Sequence, residues 1–234
     1  MRSLISLTFD DGLRCQLEKA VPILDRYGIS ATFFLTANRD STHEPWYGHR
    51  DEWWKIDWSE DDIADLRRLV DNGHEIGSHS LTHRIEEMRR NPVVEACESK
   101  KLIEGWLGTK VVSFSYPYYS SHDYLADPVK KAGYEQARGG CGAFYYPVAG
   151  DRSFDKFNVD CRQVSPKDKA SGWVQHGCWH ILTFHAIGDQ RDGWEPISVG
   201  QFDTLTAELA RYRDDGAVEV LPFKDAVARL QSRS

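Results

Sequence analysis

The sequence predicts a single α/β domain over residues 1–234, in which helices cover a sheet of parallel strands. Short apolar runs that are typical of strands alternate along the chain with segments that carry helix start and stop signals, and this alternation favours parallel strands. A chain of 234 residues is long enough for one large domain or two small ones. No linker, repeat or low-complexity tract divides it, so we expect one domain.

The individual elements follow from local patterns. The predicted strands cover residues 4–9, 30–35, 74–77, 111–115, 179–184 and 218–221. The predicted helices cover residues 16–27, 60–72, 92–107, 127–132, 199–213 and 224–231. Gly28 is expected to end the first helix, Ser59 to cap the second and Pro92 to begin the third. Residues 38–58 are expected to form a long loop, and residues 139–158 show no clear pattern.

Composition and charge exclude several classes of protein. The net charge of −7 argues against nucleic acid as a partner, because phosphate binding needs a basic surface. No stretch is apolar enough to cross a membrane. The five cysteines are odd in number and form no CxxC pair, which favours reduced thiols. Met1 leads straight into a strand without an apolar leader, so we expect a cytoplasmic protein, although a trimmed secreted protein would look the same.

Two short segments predict a metal site. Asp10 and Asp11 directly follow the first strand, and His79 and His83 lie four residues apart, so on a helical turn they face the same way. One aspartate and two imidazoles suit a divalent ion such as zinc. Neighbouring side chains on an extended segment diverge, so one aspartate can bind the ion while the other takes a proton from water. The plainer alternatives are a solvated turn and a pair of surface histidines.

Residues with useful chemistry follow several predicted strands. Asp11, His79, Tyr118 and His185 all occupy such positions, and the active sites of parallel α/β folds gather at the carboxyl ends of strands. His185 is a candidate proton donor to the leaving group. Leu182, on the same strand, is a candidate apolar floor for a small acyl methyl group.

The motifs resemble those of a known family. Thr8-Phe9-Asp10-Asp11-Gly12 and His79-Ser80-Leu81-Thr82-His83 are similar to the first two motifs of the polysaccharide deacetylases, the NodB homology domain of carbohydrate esterase family 4. Ser115-Tyr116-Pro117-Tyr118 and Leu182-Thr183-Phe184-His185 resemble the third and fifth motifs.

The resemblance implies a distorted (β/α) barrel and the removal of acetyl groups from a carbohydrate. It implies Asp10 as general base, His185 as general acid, and Asp11, His79 and His83 as ligands of one divalent metal, zinc in the first place and cobalt, nickel or manganese as alternatives. It further implies that the backbone N–H of Tyr118 helps to hold the oxyanion and that Leu182 lines the acetyl pocket.

The sequence departs from the family pattern at two motifs. The third motif usually carries an arginine that tethers the catalytic aspartate, but Ser115 stands there, and the Asp-Trp pair of the fourth motif is absent. We take Arg162 as the candidate replacement beside Asp10, the alternative being a surface charge.

Aromatic residues offer candidate sugar contacts. Trp46 and Trp53 lie in the long loop, and Trp194 lies shortly after His185. Stacking on a sugar ring is one interpretation, and packing of the loop on the barrel is the other.

The predicted function is metal-dependent deacetylation of an N-acetylated sugar, oligosaccharide or polysaccharide. The alternatives are an O-acetyl esterase acting on xylan-type carbohydrate and a non-catalytic carbohydrate-binding protein on the same fold. The sequence leaves the oligomeric state open.

Overall fold

The computed structural model describes residues 2–37, 55–119, 123–140, 146–148, 155–174 and 177–232. In chain order the elements are β1 (Ser3–Phe9), a π-helical turn (Gln16–Ala20), α1 (Val21–Tyr27), β2 (Thr32–Leu35), α2 (Glu60–Asp71), β3 (Glu75–Ser78), α3 (Ile85–Arg90), α4 (Pro92–Leu107), β4 (Ser113–Ser115), a 3₁₀ turn (Pro117–Tyr119), α5 (Asp123–Lys131), β5 (Gln136–Arg138), β6 (Tyr146–Pro147), β7 (Arg162–Gln163), a 3₁₀ turn (Ala170–Trp173), β8 (Cys178–Phe184), α6 (Val199–Asp214), β9 (Val218–Val220) and α7 (Phe223–Gln231).

The strands form one sheet that curls into part of a barrel, which confirms the predicted fold class. The order is β5-β4-β3-β2-β1-β8-β6, with β7 beside β8 and β9 beside β1. All the pairings are parallel except that of β6 with β8. The carboxyl ends of β1, β2, β3, β4 and β8 therefore meet at one edge of the sheet.

Apolar residues of the strands and helices form two main core clusters. The larger packs the helices against one face of the sheet, and the smaller contains Leu4, Phe34, Trp179 and Phe223 on the other face. Phe9, the last residue of β1, stacks on Phe33 of β2 and Phe184 of β8, with ring centroids 4.8 Å and 5.3 Å away. These contacts join β1 to its two neighbours at residues that pair in register.

Local signals placed most helix ends correctly. Ser59 caps α2 by accepting a hydrogen bond from the Asp62 N–H at 3.2 Å, and α4 has the predicted bounds. Gly28 and Gly108 end their helices with φ of 58° and 66°, a conformation that glycine adopts without strain.

Other boundaries differ from the prediction. The helix expected at 127–132 begins at Asp123 and contains Pro128. The sequence pattern also missed α3 and β5, both of which are too short to show a clear period.

The four cysteines in the described ranges, Cys15, Cys97, Cys161 and Cys178, form no disulfide with one another; Cys141 lies outside those ranges. Among the described residues, no helix is both long and apolar enough to cross a membrane.

Candidate metal and catalytic site

The two predicted metal-binding segments meet at the carboxyl edge of the sheet. One ligand atom each from Asp11, His79 and His83 lie within 4.8 Å of one another. Asp11 Oδ1 is 3.6 Å from His79 Nε2 and 3.4 Å from His83 Nε2. Two ligands that are each about 2.1 Å from a tetrahedral zinc ion lie about 3.4 Å apart. The spacing therefore fits three ligands of one ion.

The protonation states also suit a metal site. The Ser115 carbonyl lies 2.9 Å from His79 Nδ1. A carbonyl can only accept, so Nδ1 carries the proton and the Nε2 lone pair faces Asp11. Burial lowers the pKa of His79 and of His83, which favours neutral rings. Burial alone would raise the pKa of Asp11, but His83 and His185 in their protonated forms, together with Lys55, hold it well below its usual value.

Left-handed backbone at four positions turns these side chains toward one another. Asp11 and Gly12 have φ of 74° and 70°, and Ser80 and His83 have φ of 70° and 58°. Non-glycine residues rarely adopt this conformation, and it persists only where surrounding contacts enforce it. One such contact is the hydrogen bond that the His83 N–H donates to Ser80 Oγ at 2.9 Å.

A buried arginine binds the carboxylate of Asp10, which lies beside the ligand cluster. Nη2 of Arg138 contacts both carboxylate oxygens of Asp10. The same nitrogen donates to Ser115 Oγ at 2.6 Å, while Nη1 donates to Thr183 Oγ1 at 3.0 Å. Arg138 has no exposed surface, so its charge and that of Asp10 depend on each other.

The structure corrects the prediction for Arg162. Its Nη2 donates to Asp168 at 2.6 Å, and Arg138 takes the predicted place beside Asp10. Ser115 of β4 pairs in register with Arg138 of β5. The small serine leaves room for the guanidinium on the next strand and accepts a hydrogen bond from it.

His185 lies across the site from the ligand segments. It is largely buried, and its Nδ1 lies 3.8 Å from Glu195 Oε2. The side-chain amide of Gln16 donates to the Asp10 carbonyl at 2.7 Å and to the His185 carbonyl at 3.0 Å. This buried amide ties the ends of β1 and β8 together, so that the two candidate catalytic residues keep a fixed relation.

Comparison with known proteins shows the family of this chain. The sequence profile of the polysaccharide deacetylase family matches residues 2–137, more than half of the chain. The chain belongs to the polysaccharide deacetylase family. One relative is YxkH of Bacillus subtilis strain 168, whose name assigns it provisionally to the polysaccharide deacetylases. The two are 24% identical over 165 residues, which are 69% of this chain and 52% of YxkH, so the chain spans about half the length of this relative.

Several solved structures share the fold of this chain. The Xyl-CE4 domain of a multidomain xylanase from the hindgut metagenome of Trinervitermes trinervoides is 18% identical, with a TM-score of 0.60 over 96% of this chain and 89% of that one. A family 4 acetyl xylan esterase from Clostridium thermocellum, in complex with cobalt, is 18% identical, with a TM-score of 0.58 over 95% of this chain and 89% of that one. BA3943 of Bacillus anthracis, described as a family pseudoenzyme, is 14% identical, with a TM-score of 0.58 over 96% of this chain and 65% of that one. At these identities the likeness shows the fold.

Of the other candidate residues in this deacetylase-family chain, Tyr118 lies at the site and Leu182 does not. The ring of Tyr118 packs against that of His83 with 4.6 Å between centroids and 50° between the ring planes, and its hydroxyl donates to the His83 carbonyl at 3.1 Å. The structure corrects the prediction for Leu182, whose side chain is fully buried in the larger core cluster, while the next residue, Thr183, faces Arg138. Leu182 therefore lines no pocket for an acyl group.

The predicted sugar contacts are tested only in part. Trp194 forms a side-chain hydrogen bond with Glu195. Because the indole can only donate, its N–H supports the carboxylate beside His185. Trp46 and Trp53 lie outside the described residues, so their stacking role stays a prediction.

A residue that the sequence did not single out, Glu95, holds the turn that carries His79 and His83. This buried carboxylate accepts from the N–H groups of Leu81 and Thr82 at 3.0 Å and 2.9 Å, and from the Thr82 hydroxyl at 2.6 Å. Only its position one turn into α4 hints at this role.

We expect Glu95→Ala to lower the free energy of unfolding by about 2–3 kcal/mol, because two backbone N–H groups lose a charged acceptor. Glu98→Ala is the matched control, since Glu98 lies on the same helix and pairs with Lys101 near the surface. It should change the free energy of unfolding by less than about 0.5 kcal/mol. Urea unfolding of both variants checks this, and equal effects would show that Glu95 does not hold the turn.

Proposed function

We propose that this protein is a metal-dependent deacetylase that hydrolyses the acetyl group of an N-acetylated sugar, oligosaccharide or polysaccharide. One observation carries the proposal. The donor atoms of Asp11, His79 and His83 converge beside a second carboxylate, Asp10, which Arg138 holds separately. Membership of the polysaccharide deacetylase family supports acetyl removal from carbohydrate as the reaction class.

The donor set fits a divalent metal. It offers one carboxylate oxygen and two imidazole nitrogens and supplies only three ligands, which is typical of catalytic zinc sites. Zinc is our first choice, with cobalt, nickel or manganese as alternatives. A metal bound by these residues would polarise the acetyl carbonyl and lower the pKa of water.

Asp10 is the proposed general base. Its Oδ2 lies 3.9 Å from His79 Nε2, so the carboxylate borders the ligand cluster. Arg138 fixes the orientation of the carboxylate by contacting both of its oxygens. In the reaction, Asp10 takes a proton from the attacking water while the water oxygen bonds to the acetyl carbon.

Tyr118 and His185 complete the proposed mechanism. The backbone N–H of Tyr118 donates to the oxyanion that forms on the acetyl carbonyl oxygen. His185 donates a proton from Nε2 to the sugar nitrogen, the C–N bond breaks, and acetate and a free amine leave. The side-chain amide of Gln16 joins the backbone carbonyls of the proposed base and acid.

The test is acetate release from a panel of N-acetylated amino sugars, their oligomers and O-acetylated xylans. We expect the wild-type protein to release acetate from at least one N-acetylated member. Release from the xylans alone would replace the proposal with an O-acetyl esterase, the activity named for the Clostridium thermocellum neighbour. Binding of a panel member without release from any would support a carbohydrate-binding protein, a reading motivated by the pseudoenzyme neighbour.

A further inference from the structure

Two buried polar atoms face each other behind the candidate active site. His185 Nδ1 and Glu195 Oε2 are both buried, and neither has a hydrogen-bond partner among the residues that the structure describes. They lie 3.8 Å apart. Buried polar atoms are rarely left unpaired, because the loss of their hydration costs free energy. An approach of less than about 1 Å would bring the two atoms into hydrogen-bond range.

The backbone around Glu195 is built to hold this position. Glu195 has a φ of 45°, which is strained for any residue but glycine. The chain on both sides is fixed against the segment that follows His185. The Ala186 N–H donates to the Trp194 carbonyl at 3.1 Å, and the Ile197 N–H donates to the Ala186 carbonyl at 3.0 Å. Hydrogen bonds therefore fix the backbone on both sides of Glu195, and its side chain lies against the histidine.

The electrostatic setting agrees with an acid–histidine pair. Burial raises the pKa of Glu195, while His185 and the hydrogen bond from Trp194 act in the opposite direction. The other groups that face His185 are Asp11 and His83, which interact with it electrostatically, and Tyr119, whose ring edge is 6.3 Å away.

We propose that Glu195 is a positioning residue for His185 and that its carboxylate accepts the Nδ1–H of the imidazole. This fixes the tautomer and the ring orientation, so that Nε2 faces the substrate and carries the proton that His185 gives to the leaving nitrogen. After that transfer the neutral ring keeps its proton on Nδ1. The inference rests on the proposed function, in which His185 is the general acid.

The kinetic test compares two leaving groups in the Glu195→Gln variant. An amine leaving group needs a proton from the acid, whereas the nitrophenolate of 4-nitrophenyl acetate leaves without one. We expect kcat on the N-acetylated sugar to fall about 10- to 100-fold with KM nearly unchanged, and acetate release from the aryl ester to change less than about twofold. Asp189→Asn, an exposed carboxylate-to-amide change in the same loop, should leave both activities unchanged.

The outcomes separate this inference from the proposed function. Equal loss on both substrates would show a general structural role and overturn the inference, as would unchanged kcat in a working enzyme. Nitrogen NMR of the His185 ring tests the pairing without turnover: the proton should occupy Nδ1 in the wild type and distribute over both nitrogens in Glu195→Ala. An identical tautomer in the two proteins would overturn the inference. A wild type that releases no acetate, with the expected tautomer change, would overturn only the proposed function.

Discussion

Replacing Arg138 with methionine should almost abolish acetate release and destabilise the protein. Methionine keeps much of the apolar stem but removes the cation that contacts both oxygens of Asp10 and also donates to Ser115 and Thr183. A buried carboxylate without its partner typically costs about 3–5 kcal/mol of folding free energy. Because the base also loses its orientation, we expect kcat to fall by at least about 100-fold.

Two further variants keep this result interpretable. Arg162→Met removes an arginine that forms a partly buried ion pair with Asp168, and it should retain activity and lose less stability than Arg138→Met. Arg138→Lys keeps the positive charge but cannot reproduce the forked contacts of a guanidinium, so it should fold and still lose most activity. The role given to Arg138 would be contradicted if Arg138→Lys or Arg138→Met kept the wild-type kcat. It would also be contradicted if Arg162→Met lost more activity than the Arg138 variants.

Asparagine substitutions of the neighbouring residues Asp10 and Asp11 should have different effects on metal binding. Asp11→Asn should abolish both metal binding and acetate release, because an amide oxygen is a far weaker ligand than a carboxylate. Asp10→Asn should abolish acetate release while metal affinity changes little, because the oxygens of Asp10 face Arg138. Calorimetric titration with zinc and an acetate assay on both variants measure the difference.

The two variants are matched in size and chemistry, so each serves as the control for the other. Loss of metal binding in Asp10→Asn with retention in Asp11→Asn would exchange the two roles. If both variants gave the same results in both assays, Asp11 and Asp10 would not have separate roles as metal ligand and general base.

The sequence predicted the grouping of Asp11, His79 and His83 because the relevant signals are local. The two aspartates are adjacent, the histidines lie four residues apart, and each pair follows a strand that the apolar pattern reveals. A parallel sheet then brings the strand ends together. The structure does so, with ligand atoms within 4.8 Å.

Arg138 could not be found in the same way. It is separated from Asp10 by 128 residues and ends a strand of three residues, which is too short to show alternation. Arg162 is also part of the sheet, as the first residue of β7, but its side chain pairs with Asp168, six residues later in the chain. Only the register of β4 with β5 places Arg138 beside Ser115 and so beside Asp10.

Leu182 and Glu195 illustrate two further limits. Leu182 is apolar and lies on the strand that leads to His185, but side chains alternate along a strand, and its own packs into the core with Phe184. Glu195 lies beside His185 because its backbone is left-handed. That conformation is common for glycine and asparagine, and a glutamate at this position gives no sign of it in the sequence.

The most direct test of the account is acetate release from an N-acetylated sugar by protein stripped of metal with a chelator and then titrated with zinc. We expect no activity in the stripped protein and a return of activity that saturates at one equivalent of metal, because one cluster, Asp11, His79 and His83, is found among the described residues. Full activity in the stripped protein, or no acetate release at any level of zinc, cobalt, nickel or manganese, would contradict it.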